Sequence, residues 1–128
     1  MDRLLAHFER VELAAGAVVV EEGSPSHDFY LLESGRASVF TGTGDARLRV
    51  ASVGAGAIVG EVAFYLGEPR TASVITSEPT VVWRFTRRDL ERLQSEMPDI
   101  AASLHAGLAR MLADRLAGAN RLIRVLAE

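Results

Sequence analysis

Gly60-Glu61-Val62-Ala63-Phe64-Tyr65-Leu66-Gly67-Glu68-Pro69-Arg70-Thr71-Ala72-Ser73-Val74 decides how the rest of the chain is read. It opens on a glycine and an acid, runs through a short apolar turn and breaks at Gly67-Glu68-Pro69. It then continues through Arg70-Thr71-Ala72-Ser73 into a β-rich run. Gly60 has no Cβ, so the backbone there can come close to a ligand. A helical turn starting at that point aims unbonded N–H groups forward, and a helix start favours negative charge. Arg70 supplies a planar, permanently charged fork suited to phosphate oxygens, and Glu61 adds an acceptor for a hydroxyl. Together they fit a small anion carrying both a phosphate and a sugar hydroxyl. Taken singly, each residue is equally at home in a solvated loop, and a surface Glu–Arg pair is worth only about 0–1 kcal/mol. The case for a site rests on finding them in one stretch.

Outward from this stretch, the chain has 128 residues, which fits one domain, 1–128. Apolar residues make up 48%, ample for a packed core. No apolar run approaches the roughly 18 residues of a membrane span, so membrane insertion is not expected. The net charge is −3 with acids and bases interspersed, which argues against a broad nucleic-acid footprint. The absence of cysteine excludes disulfides and thiol catalysis. The N-terminus has an early acid and no long apolar stretch, unlike a secretory signal.

Residues 2–8 read as a short amphipathic helix with Leu4, Leu5 and Phe8 on one face, giving an N-terminal helical segment 1–9. From residue 10 to 86 the pattern is β. Strands are expected at 11–13, 17–20, 28–33, 36–40, 47–51, 58–59, 72–76 and 81–85, separated by Gly-, Ser- and Pro-rich turns. About eight short strands at such spacing indicate an antiparallel sandwich or barrel. At Thr86-Arg87-Arg88-Asp89 the period changes, with a capping-box-like helix start in which Asp stands for Glu. Met97-Pro98-Asp99 restarts the helix. A stripe from Ile100 to Leu126 predicts a helix of about 29 residues, roughly 43 Å long. That is longer than the β unit can cover, so its far end should fold back over a ligand or pair with a second copy through residues 104–126. Gly107 lies inside this helix, where close packing against the roll or a partner helix is the favoured reason; for Gly118, packing and a hinge stand equal.

The 60–74 stretch resembles the phosphate-binding cassette of the cyclic nucleotide-binding domain family, with the spacing from Gly60-Glu61 to Pro69-Arg70 kept without a gap. That family includes bacterial catabolite activators, regulatory subunits of cyclic AMP-dependent kinase and cyclic nucleotide-gated channels. Glu22-Gly23, Phe29-Tyr30-Leu31, Ser34-Gly35 and Gly54-x-Gly56 extend the resemblance over nearly the whole chain. It implies an α+β, mainly β, architecture: an antiparallel β-roll of jelly-roll type, a short N-terminal helix, a short cassette helix and C-terminal helices at 87–127.

The resemblance also implies roles. Arg70 pairs with the cyclic phosphate and Glu61 accepts from the ribose 2′-hydroxyl. Gly60 lets the sugar lie close, and backbone N–H groups near Val62 and Ala63 complete the cradle. Thr71 and Ala72 close it from the other side, and Ile58 and Val59 give the base an apolar floor. Phe64, Tyr65 and Leu66 are assigned to core and hinge packing. A hydroxyl directly after the arginine can bond the guanine of cyclic GMP, so Thr71 permits that ligand, although cyclic AMP is the favoured one. Ala57 and Val59 depart from the family pattern. The positions where catabolite activators cap the base with hydroxyls fall here at Arg115 and Leu116. Arg115, or an apolar residue from Leu122, Ile123 and Leu126, is therefore expected as the lid.

The function implied is a non-catalytic cytoplasmic sensor with no cofactor beyond its cyclic nucleotide ligand, relaying binding through movement of the C-terminal helix. Channels and some anion transporters carry such a domain as an appendage, so a transporter or channel is one implied partner. The competing class is a dimerisation or docking module with an unused pocket. An enzyme ranks below both, because His7, His27 and His105 are scattered and no nucleophile–base set is available.

Overall fold

The computed structural model describes residues 8–127, and side chains as far as residue 114 and at 117. Its strands are β1 (Glu9–Leu13), β2 (Val18–Val20), β3 (Phe29–Ser34), β4 (Arg36–Thr41), β5 (Leu48–Gly54), β6 (Ile58–Val59), β7 (Ser73–Thr76) and β8 (Thr80–Phe85). The helices are α1 (Glu61–Leu66), α2 (Arg87–Glu96) and α3 (Pro98–Ala127), and a 3-10 turn occupies Gly44–Ala46. The chain divides into two compact units, Met1–Leu90 and Glu91–Glu128, with the division inside α2.

The β unit is built from two four-stranded antiparallel sheets, ordered β1-β8-β3-β6 and β2-β7-β4-β5. This is the mainly β roll expected from the sequence. The expected N-terminal helix does not reach residue 9: Glu9 opens β1 and pairs with Arg84. Residues 1–7 lie outside the described residues.

The alternating pattern of the strands places one residue set between the sheets. Val20, Leu32, Ala37, Val59, Val74 and Val82 form a buried aliphatic core, with Val11, Leu13, Val19, Tyr30, Val39 and Val53 packed around it. A second, aromatic cluster sits on the other face of the β1-β8-β3-β6 sheet. Phe29 meets Phe64 edge-on at 4.9 Å and Phe85 at 4.9 Å, and Phe8 lies 4.6 Å from Phe85. Phe29, Phe64 and Phe85 are fully buried. Because Phe64 comes from α1, this cluster fixes the cassette helix to the sheet.

The expected cap at Thr86 forms in both directions. The Thr86 N–H donates to Asp89 Oδ2 at 2.9 Å, and the Asp89 N–H donates to Thr86 Oγ1 at 3.1 Å. Asp therefore serves where Glu is usual, and α2 starts where the period changes. Met97 ends α2 by donating its N–H to the Leu93 carbonyl at 2.7 Å, and Pro98 occupies the first turn of α3, where no N–H is needed. α3 is 30 residues long, close to the expected length.

Gly107 corrects one expectation. A Cβ built there meets nothing within 4 Å among the described residues, so close packing within the chain is not its reason. Gly107 is exposed and helical. Gly107→Ala should then raise unfolding stability by about 0.5–1 kcal/mol through backbone entropy alone; an unchanged or lowered denaturation midpoint in urea would contradict this. Gly118 lies outside the residues whose side-chain surroundings are described.

Candidate phosphate-binding cassette

β6 delivers the chain to Gly60, which turns it into α1. Gly60 has φ +86, in the left-handed region that favours glycine. A Cβ there would stand 2.7 Å from Arg70 Nη1 and 2.8 Å from the Asp28 carbonyl oxygen. Gly60 is thus required by its backbone conformation and by the close approach of Arg70, not only by a ligand.

Arg70 is 4% exposed, although it follows an exposed Gly67-Glu68-Pro69 turn. Its backbone is clamped to the loop before β3: the Gly23 N–H donates to the Arg70 carbonyl at 2.8 Å, and the Arg70 N–H to the Ser24 carbonyl at 3.0 Å. Its guanidinium donates from Nη1 to the Gly60 carbonyl at 2.8 Å, from Nη2 to the Asp28 carbonyl, and from Nε to Ser26 Oγ at 3.4 Å. All three acceptors are neutral. Among the described residues, no carboxylate stands within ion-pair distance of Arg70. Burial pulls its pKa below the ordinary arginine value, while Tyr30, Asp28 and Glu61 act at longer range to raise it. A buried cation held only by dipoles keeps a strong preference for an anion.

Glu61 is also buried, at 3% exposure, in the first turn of α1. The first intrahelical bond of α1 runs from the Phe64 N–H to the Gly60 carbonyl at 3.2 Å. The N–H groups of Val62 and Ala63 therefore have no intrahelical acceptor. At the other end of α1, Arg87 donates to the Phe64 carbonyl and stacks its guanidinium 4.4 Å from the Phe64 ring centroid. The cassette helix is thereby tied to the first turn of α2.

The remaining expected residues divide. Thr71 is exposed beside Arg70, and Ala72 is half-buried immediately before β7. Val62 is 44% exposed and Ala63 is buried. Val59 joins the aliphatic core, and Ile58, its neighbour on a two-residue strand, faces the opposite way. The two cannot form one shared floor, because successive strand residues point to opposite faces. Phe64 is core as expected, but Tyr65 and Leu66 are exposed, at 36% and 64%, and so are not core packing. The side chains of Arg115, Leu116, Leu122, Ile123 and Leu126, the positions considered for the lid, lie outside the described residues.

Three partners of Arg70 escaped the sequence reading: Ser26 and Asp28, which meet its guanidinium, and Ser24, which holds its backbone. They stand 42 to 46 positions before it, in a stretch whose composition signals only a loop and a strand start. No spacing rule links them to Arg70.

Among the described residues, no group of three or more His, Cys, Asp or Glu is placed to hold a metal, and no helix is long and apolar enough to cross a membrane. Comparison with known proteins agrees with the geometry. A family profile described as cyclic nucleotide-binding domain matches residues 10–97. The chain is 37% identical over 93 residues to a cAMP-dependent protein kinase regulatory subunit of Aspergillus fumigatus, covering 73% of this chain and 22% of that protein. It is 32% identical over 83 residues to the acetyltransferase Pat of Mycolicibacterium smegmatis, covering 65% of this chain and 25% of that protein. The chain therefore spans about a quarter of the length of these relatives. Among solved structures, a cyclic nucleotide-binding domain from Methylobacillus flagellatus superposes with a TM-score of 0.81 at 28% identity, covering 87% of this chain and 63% of that one. The Thermus thermophilus catabolite activator protein does so with a TM-score of 0.75 at 29% identity, covering 94% of this chain and 57% of that one. The chain belongs to the cyclic nucleotide-binding domain family.

Proposed function

We propose that this chain is a cytoplasmic regulatory sensor that binds a cyclic purine mononucleotide, with cyclic AMP preferred, and passes binding on through its C-terminal helices. The observation that carries the reading is Arg70: a buried guanidinium without an ion pair among the described residues, beside a short helix that also buries Glu61. A cyclic phosphate replaces the neutral carbonyl acceptors of Arg70 with charged oxygens, which make the stronger bonds. The Val62 and Ala63 N–H groups complete its cradle, Glu61 takes the ribose hydroxyl, and Thr71 and Ala72 lie on the far side. The role does not require this domain to catalyse anything.

Release of the Gly60 carbonyl from Arg70 is the first step of the relay. Gly60 is the N-cap of α1, so its movement shifts that helix, and Arg87 carries the shift from Phe64 into α2. A ligand moves such an equilibrium only by its difference in affinity for the two arrangements. The effector is a protein domain or partner beyond this sensor, in keeping with relatives several times its length.

Titration calorimetry with cyclic AMP and cyclic GMP tests the reading and its selectivity. The wild type should bind cyclic AMP the more tightly, and Thr71→Ala should weaken cyclic GMP by roughly fivefold more than cyclic AMP, the worth of one neutral hydrogen bond. Equal losses for the two nucleotides would remove Thr71 from base recognition, and no heat with either would end the sensor reading.

A further inference from the structure

Two arginines stand near the cassette end of the β1-β8-β3-β6 sheet, and only one of them is neutralised. Arg84 on β8 lies between two acids. Its Nε and Nη2 both reach Asp28 Oδ2, at 2.8 and 2.6 Å, and its Nη1 reaches Glu9 Oε2 at 3.3 Å. The register explains the placement. Arg84 pairs across the sheet with Tyr30 on one side and Glu9 on the other, and residues directly opposite share a face. Tyr30 packs against the aliphatic core, so Arg84 lies on that core-facing side, at its open end. Asp28, immediately before β3, is a diagonal neighbour on the same side.

Asp28 is therefore divided between the two arginines. Its carbonyl accepts from Arg70, while its carboxylate is turned to Arg84. A rotation about the Asp28 Cα–Cβ bond is the obvious way to bring that carboxylate toward the Arg70 guanidinium, since the carbonyl of the same residue is already bonded to it. We propose that Arg84 is a positioning residue for the anion site: it captures the Asp28 carboxylate, keeps it off Arg70 and so leaves the Arg70 charge open for the ligand phosphate. The inference rests on the reading of Arg70 as the phosphate ligand. It goes beyond that reading by assigning the unpaired state of Arg70 to a residue on another strand that need not touch the nucleotide.

The alternative, that the Asp28–Arg84–Glu9 chain only joins β1, β3 and β8, makes a different forecast. If Arg84 is a brace, removing it loosens the sheet whatever residue 28 is. If Arg84 holds a competitor away, removing the competitor restores the site. The test compares Arg84→Gln with the double variant Arg84→Gln/Asp28→Asn, because an amide cannot neutralise Arg70. Cyclic AMP affinity should fall about tenfold in Arg84→Gln, the size of one charge-assisted hydrogen bond given up to a rival acceptor. It should return to within about threefold of wild type in the double variant. An unchanged affinity in Arg84→Gln, or a loss that the double variant does not reverse, overturns the proposal. A ligand-free crystal structure of Arg84→Gln decides the matter separately from any nucleotide. The Asp28 carboxylate should lie within ion-pair distance of Arg70, and a carboxylate still turned away refutes the proposal. If the wild type bound neither cyclic AMP nor cyclic GMP, the sensor reading would fail while this structural arm still judged the role of Arg84.

Discussion

Arg70→Ala should lower cyclic AMP affinity by at least about 100-fold, and this is the largest effect expected on binding. Charge-assisted hydrogen bonds are worth about 1.5–3 kcal/mol each, and a guanidinium meeting a phosphate makes more than one of them. The same change leaves the Gly60 and Asp28 carbonyls without the donor they now share, so a stability loss of about 1–3 kcal/mol should accompany it. Binding and folding must therefore be read apart, with calorimetry for the first and urea denaturation for the second. Arg70→Lys separates them further. It restores the charge without the planar fork, and affinity should recover only in part, to about tenfold below wild type. Wild-type affinity in a folded Arg70→Ala protein would remove Arg70 from the site.

Gly60→Ala should be the most damaging single methyl group in the cassette. Its φ of +86 is unfavourable for any residue with a Cβ, by roughly 1–2 kcal/mol. The added carbon would also stand 2.7 Å from Arg70 Nη1 and 2.8 Å from the Asp28 carbonyl, so Arg70 has to leave its present position or the β6–α1 turn has to open. The expected destabilisation is about 2–4 kcal/mol, and it comes with loss of most nucleotide binding, because the displaced group is Arg70 itself. A variant that melts like wild type and binds like wild type would show that the approach of Arg70 to Gly60 does not hold in solution.

Much of this was legible in the sequence, for reasons that differ from one residue to the next. The strands at 11–13 and 47–51 announce themselves through alternation, and the α2 start through Thr86 and Asp89, whose side chains bond within three residues of each other. Arg70 and Gly60 were legible because their motif is contiguous. What surrounds them was not. Arg70 meets Ser26 and Asp28 across more than 40 positions, and a single sequence holds no local signal for such a pairing. Val59 was assigned to the ligand because it precedes the cassette, yet strand alternation sends it into the aliphatic core beside Val74 and Val82. Tyr65 and Leu66, expected in core and hinge packing, stay out of the core because a six-residue helix has room to bury only one face, and Phe64 and Ala63 occupy it.

The central claim is that Arg70 exchanges protein carbonyls for a cyclic phosphate. A crystal structure of the cyclic AMP complex tests this most directly. The account predicts phosphate oxygens on the Arg70 guanidinium and on the Val62 and Ala63 N–H groups, Glu61 at the ribose hydroxyl, and the Gly60 carbonyl released from Arg70. A nucleotide bound elsewhere, with Arg70 still donating to the Gly60 and Asp28 carbonyls, would contradict it.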